Sequence, residues 1–311
     1  MIIKHQEKIA SPEIIQSRYE ALGYICSSSV ATAIYLACHL QKPILIEGPP
    51  GVGKTELAKV TATFLNAPLI RMQCYEGLDE SKALYEWKYG KQLLYTQVLK
   101  EQLGDVLRGA RGLDESIARL HDFGDIFYSQ EFLEPRPLLQ ALQSQDGAVL
   151  LVDEIDKADQ EFEAFLLELL SDYQVSIPEI GTVKAVSTPI VMLTSNNTRE
   201  LGDALKRRCL HLYIPFPDAA LESRILASQV EGLDSQLREQ IVTLIGKLRN
   251  MPLKKSPAVS ETIDWARALL LLNVEELDPH WVKETLNLLL KFQDDIELVE
   301  PEIKELLKGL R

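Results

Sequence analysis

The sequence predicts an α/β protein: a five-stranded parallel sheet with helices on both faces, followed by a small all-helical region. Two observations carry this prediction. Short apolar runs alternate with segments of helical periodicity over the first two thirds of the chain, which is typical of parallel sheets. Beyond residue 217 each segment has helical periodicity. We therefore expect an α/β domain at 1–217 and a helical lid domain at 218–311.

The strands and helices can be placed one by one. The predicted strands are 43–47, 69–74, 148–153, 189–194 and 209–214. The predicted helices are 11–22, 25–41, 54–66, 158–172 and 201–206, then 218–230, 234–249, 260–272, 279–294 and 301–309 after a hinge at Pro215–Pro217. Two hairpins are also expected, one over Tyr85–Tyr95 turning at Gly90 and one over Val175–Val186 turning near Gly181. Residues 97–123 have apolar positions at helical intervals.

Composition narrows the classes of function. The chain has 311 residues, of which 46% are hydrophobic and 25% charged, as in ordinary globular proteins. Its net charge of -13, without a basic run, disfavours direct nucleic-acid binding. The four cysteines form no C-x-x-C pair, which disfavours a zinc site. No apolar stretch reaches the length of a membrane span and no signal peptide is evident, so we expect a cytoplasmic protein.

Residues 48–55 carry the strongest functional signal, because they match the phosphate-binding pattern G-x-x-x-x-G-K-[ST]. A predicted strand precedes this loop and a predicted helix follows it, so backbone N–H groups and the positive helix end face a polyphosphate. Lys54 would supply charge near the outer phosphates, and Thr55 a hydroxyl ligand for Mg²⁺. The predicted nucleotide-binding residues here are Gly48, Pro49, Pro50, Gly51, Val52, Gly53, Lys54, Thr55 and Glu56.

Polar residues end two further predicted strands. Asp153 and Glu154 follow the strand at 148–153, where ligands bind in open α/β sheets. Asp153 can orient Mg²⁺ through its waters, and Glu154 can polarise a water for attack on the γ-phosphate. The same two acids would also suit a metabolite kinase. Asn196 ends the next strand, where its amide can bond both water and phosphate.

Two arginines close the helix that precedes the fifth strand. An arginine at this place cannot easily reach the nucleotide of its own chain, but Arg208 could reach that of a neighbouring subunit. The plainer interpretation is that Arg207 and Arg208 are solvated bases at a helix end, where cations are favoured.

With these elements in place, the chain resembles the AAA+ ATPases and, within them, the MoxR family. Residues 48–55 are similar to Walker A, 150–154 to Walker B, Asn196 to sensor 1 and Arg208 to the arginine finger. The tract at 73–80 with the segment after it resembles the insert in helix 2 of the family. The phrase at 195–201 resembles the subgroup tied to maturation of the molybdenum–copper carbon monoxide dehydrogenase.

The resemblance implies a ring, usually hexameric, with ATP bound at the seam between subunits and adenine near Tyr24 and Ile25. It also implies a partner with a von Willebrand A domain, through which the ring acts on a client protein or metalloenzyme. One feature departs from the family: the usual position of the sensor 2 arginine falls on Ser260. That function is therefore absent or displaced to Arg267 or Lys255.

Three functions are compatible with these residues. The first is an oligomeric ATP hydrolase that uses Mg²⁺ and remodels a partner protein. The second is a conformational switch that binds ATP with little hydrolysis, and the third is a small-molecule kinase. A GTPase is disfavoured because no N-K-x-D motif occurs.

Overall fold

A five-stranded parallel sheet lies at the centre of the first two thirds of the chain, as predicted. The structure is a computed structural model that describes residues 9–106, 129–178 and 180–310. Its strands are β1 (Ile44–Glu47), β2 (Leu69–Gln73), β3 (Tyr85–Trp87), β4 (Leu133–Pro135), β5 (Val149–Asp153), β6 (Gln174–Ile177), β7 (Gly181–Lys184), β8 (Ile190–Ser195) and β9 (Leu210–Tyr213). The central sheet has the order β2-β5-β8-β1-β9 with all pairs parallel, which confirms the five predicted strands.

Alternation of side chains along the strands divides the core into two layers. Ile44 and Ile46 of β1 belong to the apolar cluster on one face of the sheet, whereas Leu45 belongs to the cluster on the other face. In β5, Leu151 and Leu150 divide in the same way. Because both faces of a parallel sheet are covered by helices, these strands are apolar at every position up to their polar carboxyl ends.

Helices cover both faces and continue into the last third of the chain. They are α1 (Pro12–Ala21), α2 (Ser28–Leu40), α3 (Lys54–Leu65), α4 (Glu80–Ala83), α5 (Tyr89–Val106), α6 (Pro137–Gln143), α7 (Gln160–Asp172), α8 (Asp203–Arg208), α9 (Ala219–Gln229), α10 (Ser235–Arg249), α11 (Val259–Leu271), α12 (Pro279–Leu289), α13 (Gln293–Val299) and α14 (Ile303–Leu306). Several begin at a side-chain cap, as where Asp218 accepts from the N–H of Leu221. None of the helices in the described part of the chain has the length and apolar character of a membrane span.

The predicted hairpin over Tyr85–Tyr95 is wrong. The strand Tyr85–Trp87 pairs antiparallel with Leu133–Pro135 instead, and Gly90 lies inside α5 rather than in a turn. Aromatic and β-branched residues signal a strand, but they do not say how far along the chain its partner lies. The second predicted hairpin is confirmed, since β6 and β7 pair antiparallel and Gly181 has a φ of 93° at the start of β7.

The segment predicted to be helical over 97–123 is described only in part. The helix α5 extends to Val106, which confirms the prediction for residues 97–106. The rest of that prediction, from residue 107 to residue 123, lies outside the described residues.

The C-terminal helices bury an apolar cluster of their own, with members between Leu226 and Ile303. Trp265 is fully buried there, and its Nε1 donates to Thr285 Oγ1 at 2.7 Å. The predicted helix over 279–294 is shorter than expected. It ends at Leu289, and α13 begins only at Gln293, because Leu290 adopts an extended backbone conformation between them.

Candidate active site

The loop between β1 and α3 depends on glycine at two close backbone contacts. Gly48 has a φ of 151°, and a Cβ there would lie 2.1 Å from the carbonyl oxygen of Ile214. Gly51 has a φ of 73°, and its Cβ would lie 2.4 Å from the Cβ of Ala258 in the C-terminal region. A side chain at either position would therefore force the loop away from its neighbours. Gly53, with a φ of 92°, is the N-cap residue immediately before α3.

Lys54 is buried beneath this loop. Its side chain is 7% exposed, and Nζ donates to the carbonyl oxygens of Gly48 and Pro49, each at 2.7 Å. A third bond of 2.7 Å joins Nζ to Oδ1 of Asn196. Burial lowers the pKa of Lys54 to about 8, while the carboxylates of Asp156, Asp153 and Glu154 oppose that change. At neutral pH the loop therefore still contains a positive charge.

Thr55 and Asp153 meet across the sheet edge. The Thr55 hydroxyl donates to both carboxylate oxygens of Asp153, at 3.1 and 3.3 Å, and the Thr194 hydroxyl donates to Oδ1 at 2.6 Å. Hydroxyl and carboxylate oxygens are the hard donors that Mg²⁺ prefers, and Mg²⁺ is held by few protein ligands and several waters. The described residues contain no group of three or more His, Cys, Asp or Glu that could hold a metal. The hydroxyl of Thr55 and the carboxylate of Asp153 fit a Mg²⁺ ion that keeps several waters and takes few protein ligands.

Glu154 follows Asp153 with a φ of 57°, which turns its side chain away from the direction of the strand. Its Oε1 accepts a bond of 3.2 Å from Nδ2 of Asn196. Oε2 accepts from Nε2 of Gln73 at 2.8 Å and forms an ion pair with Lys157 at 2.5 Å. The structure thus brings together Glu154 and Asn196, which were both predicted from the ends of neighbouring strands.

The sequence analysis did not identify the role of Asp156. Its Oδ2 accepts from the backbone N–H groups of Asn196 and Thr198, at 3.2 and 3.0 Å, and from the Thr198 hydroxyl at 2.6 Å. Burial opposes ionisation, but these hydrogen bonds outweigh it and hold the pKa of Asp156 below its usual value. Asp156 thereby fixes the loop that presents Asn196. The signal available in the sequence was a third acid two residues after Glu154.

These residues line one cleft of about 960 Å³. The predicted residues in its lining are Tyr24, Ile25, Pro50, Gly51, Val52, Gly53, Lys54, Thr55, Glu56, Asp153, Glu154 and Asn196. Tyr24 lies against the phosphate loop, with its hydroxyl 3.4 Å from the carbonyl oxygen of Gly53. Gly48 and Pro49 are not among the lining residues, but their carbonyl oxygens accept hydrogen bonds from Lys54. The sequence analysis missed Arg71, Gln73, Phe216 and Gln229, which also line the cleft.

The two predicted arginines at the end of α8 are not part of this cleft. Nε of Arg208 donates to Ser171 Oγ at 2.5 Å, and Nη1 donates to the carbonyl oxygen of Ala204 at 3.0 Å. Arg207 is exposed beside it. The structure therefore does not bring Arg208 to the other candidate residues of its own chain.

The C-terminal region forms the opposite wall of the cleft. The N–H of Ser260 lies 3.4 Å from the carbonyl oxygen of Gly51, so the start of α11 contacts the phosphate loop directly. Arg267 lines the cleft, and its Nη2 donates to the carbonyl oxygen of Gln229 at 3.2 Å. Lys255 instead forms an ion pair of 2.8 Å with Glu261 and is not part of the lining.

Comparison with known proteins places these residues in a family. Residues 43–209 match the model of the AAA domain, dynein-related subfamily. The chain belongs to this AAA family. The match to the AAA domain includes the phosphate loop, Asp153 and Glu154, Asn196 and Arg208, while Tyr24, Ile25 and Arg267 lie outside it.

The relatives of this AAA protein include chains of similar length. An uncharacterised protein of a bovine Staphylococcus aureus strain is 28% identical over 238 residues, which cover 74% of this chain and 76% of the relative. An uncharacterised protein of Staphylococcus haemolyticus is 26% identical over 239 residues, covering 75% and 77%. Among solved structures, the RuvB Holliday junction branch migration motor of Thermotoga maritima aligns with 92% of this chain and 69% of its own, at 14% identity and a TM-score of 0.44.

Proposed function

We propose that this AAA protein is an ATP hydrolase of the MoxR type, which works as a ring of six copies in the cytoplasm and remodels or matures a partner protein. The observation that supports hydrolysis is the meeting of Lys54, Thr55, Asp153, Glu154 and Asn196 along one edge of the sheet, inside one cleft. The groups proposed to bind the phosphates, to hold the metal and to activate the water thus lie within hydrogen-bond distance of one another.

Each side chain has a distinct part in this proposal. The backbone N–H groups of the loop and Nζ of Lys54 bind the β- and γ-phosphates. Thr55 and Asp153 hold Mg²⁺, which supplies charge neutralisation to the phosphates when it is bound. Glu154 accepts a proton from the attacking water, and Asn196 orients that water while it bonds the γ-phosphate. Tyr24 and Ile25, which also line the cleft, contact the adenine.

The site is completed by a second copy of the chain. Arg208 lies outside its own cleft, where it donates to Ser171 and to the carbonyl oxygen of Ala204. In the proposed ring it contacts the γ-phosphate bound by the neighbouring copy, where it stabilises the charge of the transition state.

The class of partner protein and of client is inferred from the resemblance to the MoxR family. The segments that carry it are the tract at 73–80 with the segment after it, and the phrase at 195–201. On this basis the ring acts through a protein with a von Willebrand A domain. The client is a protein complex or a metalloenzyme of the carbon monoxide dehydrogenase kind, whose metal belongs to the client.

One observation favours the alternative of a conformational switch with little hydrolysis. The Glu154 carboxylate is engaged by Gln73, Lys157 and Asn196 at the same time. Because these partners occupy both oxygens of the carboxylate, an attacking water has to displace at least one of them before Glu154 can accept its proton. In this alternative, Glu154 stays bound to these partners after ATP has entered the cleft.

Hydrolysis per subunit, measured with Mg²⁺ while the protein concentration rises, tests the proposal. A rate per subunit that climbs and then saturates supports a site completed between copies. The Glu154→Gln variant should bind ATP and lose hydrolysis. Tight ATP binding with a rate that does not exceed that of Glu154→Gln at any concentration would favour the switch instead.

A further inference from the structure

Arg71 on β2 forms an ion pair with the acid assigned to the metal. Its Nη2 lies 2.6 Å from Oδ2 of Asp153. The Arg71 side chain is 50% exposed and lines the cleft, whereas Asp153 is 3% exposed. The pair therefore joins a buried carboxylate to a cation that has direct access to the cleft. None of the roles proposed above uses Arg71.

The acceptor capacity of Asp153 is nearly exhausted. A carboxylate accepts about four hydrogen bonds. Oδ1 of Asp153 accepts from Thr194 and Thr55, while Oδ2 accepts from Arg71 and, at 3.3 Å, from Thr55. The single Thr55 hydroxyl proton is shared between the two oxygens, so three donors contact Asp153, and Arg71 is the one cation among them. A Mg²⁺ bound beside Thr55 would bring a second cation to the same carboxylate, and the two positive charges repel each other.

Arg71 is the partner that can leave. Thr194 is 1% exposed, and the oxygen that donates to Asp153 also accepts a hydrogen bond of 2.9 Å from the backbone N–H of Glu154. Two hydrogen bonds therefore fix the Thr194 hydroxyl in place. Thr55 is itself the proposed metal ligand, and its hydroxyl proton can stay on Asp153 while its oxygen faces the metal. Arg71 has a long, half-exposed side chain with cleft volume around it, so its guanidinium can move without disturbing the sheet.

We propose that Arg71 is an internal counter-ion that competes with Mg²⁺ for Asp153, and that binding of a Mg²⁺–nucleotide displaces the Arg71 guanidinium from Asp153 into the cleft. This inference rests on the proposed nucleotide-binding function. Its consequence is thermodynamic: part of the affinity for the metal is spent in breaking the Arg71–Asp153 pair. Removing the arginine therefore strengthens the coupling between Mg²⁺ and the nucleotide.

The test compares nucleotide affinity with and without the metal. The affinity of the chain for a ribose-labelled fluorescent ATP is measured in excess Mg²⁺ and again in EDTA, and the ratio of the two affinities is the readout. We expect Arg71→Gln to raise this ratio roughly fivefold or more, and Arg71→Lys to raise it less, because lysine keeps the charge without the planar fork. A ratio that stays the same or falls in Arg71→Gln would overturn the inference.

The experiment also needs a matched control variant, and an outcome that distinguishes a wrong role for Arg71 from a wrong proposed function. Arg136 is a similarly exposed arginine that forms an ion pair with Glu86 away from the cleft, so Arg136→Gln should leave the ratio unchanged. If Arg71→Gln does not fold, the ratio of Arg71→Lys against the wild type decides the question, because a rise is still expected there. A wild-type chain that binds the nucleotide in neither condition would instead refute the proposed function itself.

Discussion

Nζ of Lys54 and Oδ1 of Asn196 lie 2.7 Å apart, although 142 positions separate the two residues in the chain. Lys54 opens the helix after β1 and Asn196 follows β8, and these strands are neighbours in the sheet. The nitrogen of the same amide donates to Glu154, so Asn196 bridges Lys54 and Glu154. The orientation of the amide is fixed by these two contacts, because its oxygen must accept from Lys54 and its nitrogen must donate to Glu154.

The first prediction follows from this bridge. Asn196→Ala should lower the rate of ATP hydrolysis on the order of 10²-fold while ATP affinity changes only a few-fold, since the variant loses a preorganised polar group rather than the phosphate loop. Hydrolysis and equilibrium ATP binding are measured on the same preparation. Asn197→Gly is the matched control. It removes the adjacent amide but tolerates the φ of 57° at that position, and it should keep near-normal hydrolysis.

The second prediction concerns the wall of the cleft formed by α11. Arg267 lines the cleft, whereas Lys255 is held by Glu261 outside it. We expect Arg267→Ala to weaken ATP binding by roughly tenfold, the value of about one charge-assisted hydrogen bond. Lys255→Ala should leave the affinity near that of the wild type. Loss of affinity in Lys255→Ala alone would reassign the role to that residue.

The sequence was sufficient for the central sheet because each of its strands is short, apolar and bounded by polar or glycine residues. It was also sufficient to propose which strand ends carry Asp153, Glu154 and Asn196, since the carboxyl ends of parallel strands share one edge. The failed hairpin at Tyr85–Tyr95 shows the limit. The partner strand Leu133–Pro135 lies far along the chain, and no local pattern specifies such a pairing.

The sequence could not predict the contacts that Arg71 and Gln73 make with Asp153 and Glu154, for a related reason. In β2, Arg71 and Gln73 appear as polar residues alternating with apolar ones, which is equally typical of a solvated strand face. Only the register β2–β5, with Gln73 opposite Asp153, places both side chains beside the acids. Periodicity indicates which face of a strand a residue occupies, but not which charges of the neighbouring strand it meets.

The third prediction concerns the stability of the C-terminal region. Glu222 accepts from both Nη atoms of Arg249, at 2.7 and 2.8 Å, and Thr262 Oγ1 also donates to it at 3.2 Å. Side-chain exposures are 2% for Glu222 and 11% for Arg249. Glu222→Ala would leave the Arg249 charge buried without its partner and should lower the free energy of unfolding by roughly 3–5 kcal/mol.

Denaturant unfolding, followed by tryptophan fluorescence to which Trp265 and Trp281 of this region contribute, measures this loss. The control lies on the same helix: Arg224 forms an exposed ion pair with Glu20, so Arg224→Ala should change the stability little. A Glu222→Ala variant as stable as Arg224→Ala would show that the buried pair does not stabilise the region.

The fourth prediction tests whether Arg208 acts on a neighbouring copy. Arg208→Ala should retain ATP binding and lose hydrolysis by on the order of 10³-fold, the effect of removing an arginine finger. Arg207→Ala should stay near the wild type, because Arg207 is the exposed neighbour at the same helix end. Loss of binding in Arg208→Ala, or equal losses in both variants, would contradict the assignment.

Mixing two inactive variants makes this prediction decisive. Glu154→Gln lacks the base of its own cleft but still offers Arg208 to a neighbour, whereas Arg208→Ala has an intact cleft and no arginine to offer. In a ring with head-to-tail interfaces, a random mixture restores complete sites wherever an Arg208→Ala copy receives the arginine of a Glu154→Gln copy, which is about a quarter of the interfaces. We therefore expect hydrolysis to reappear on mixing. If both residues served the same chain, no complete site would form and the mixture would stay inactive.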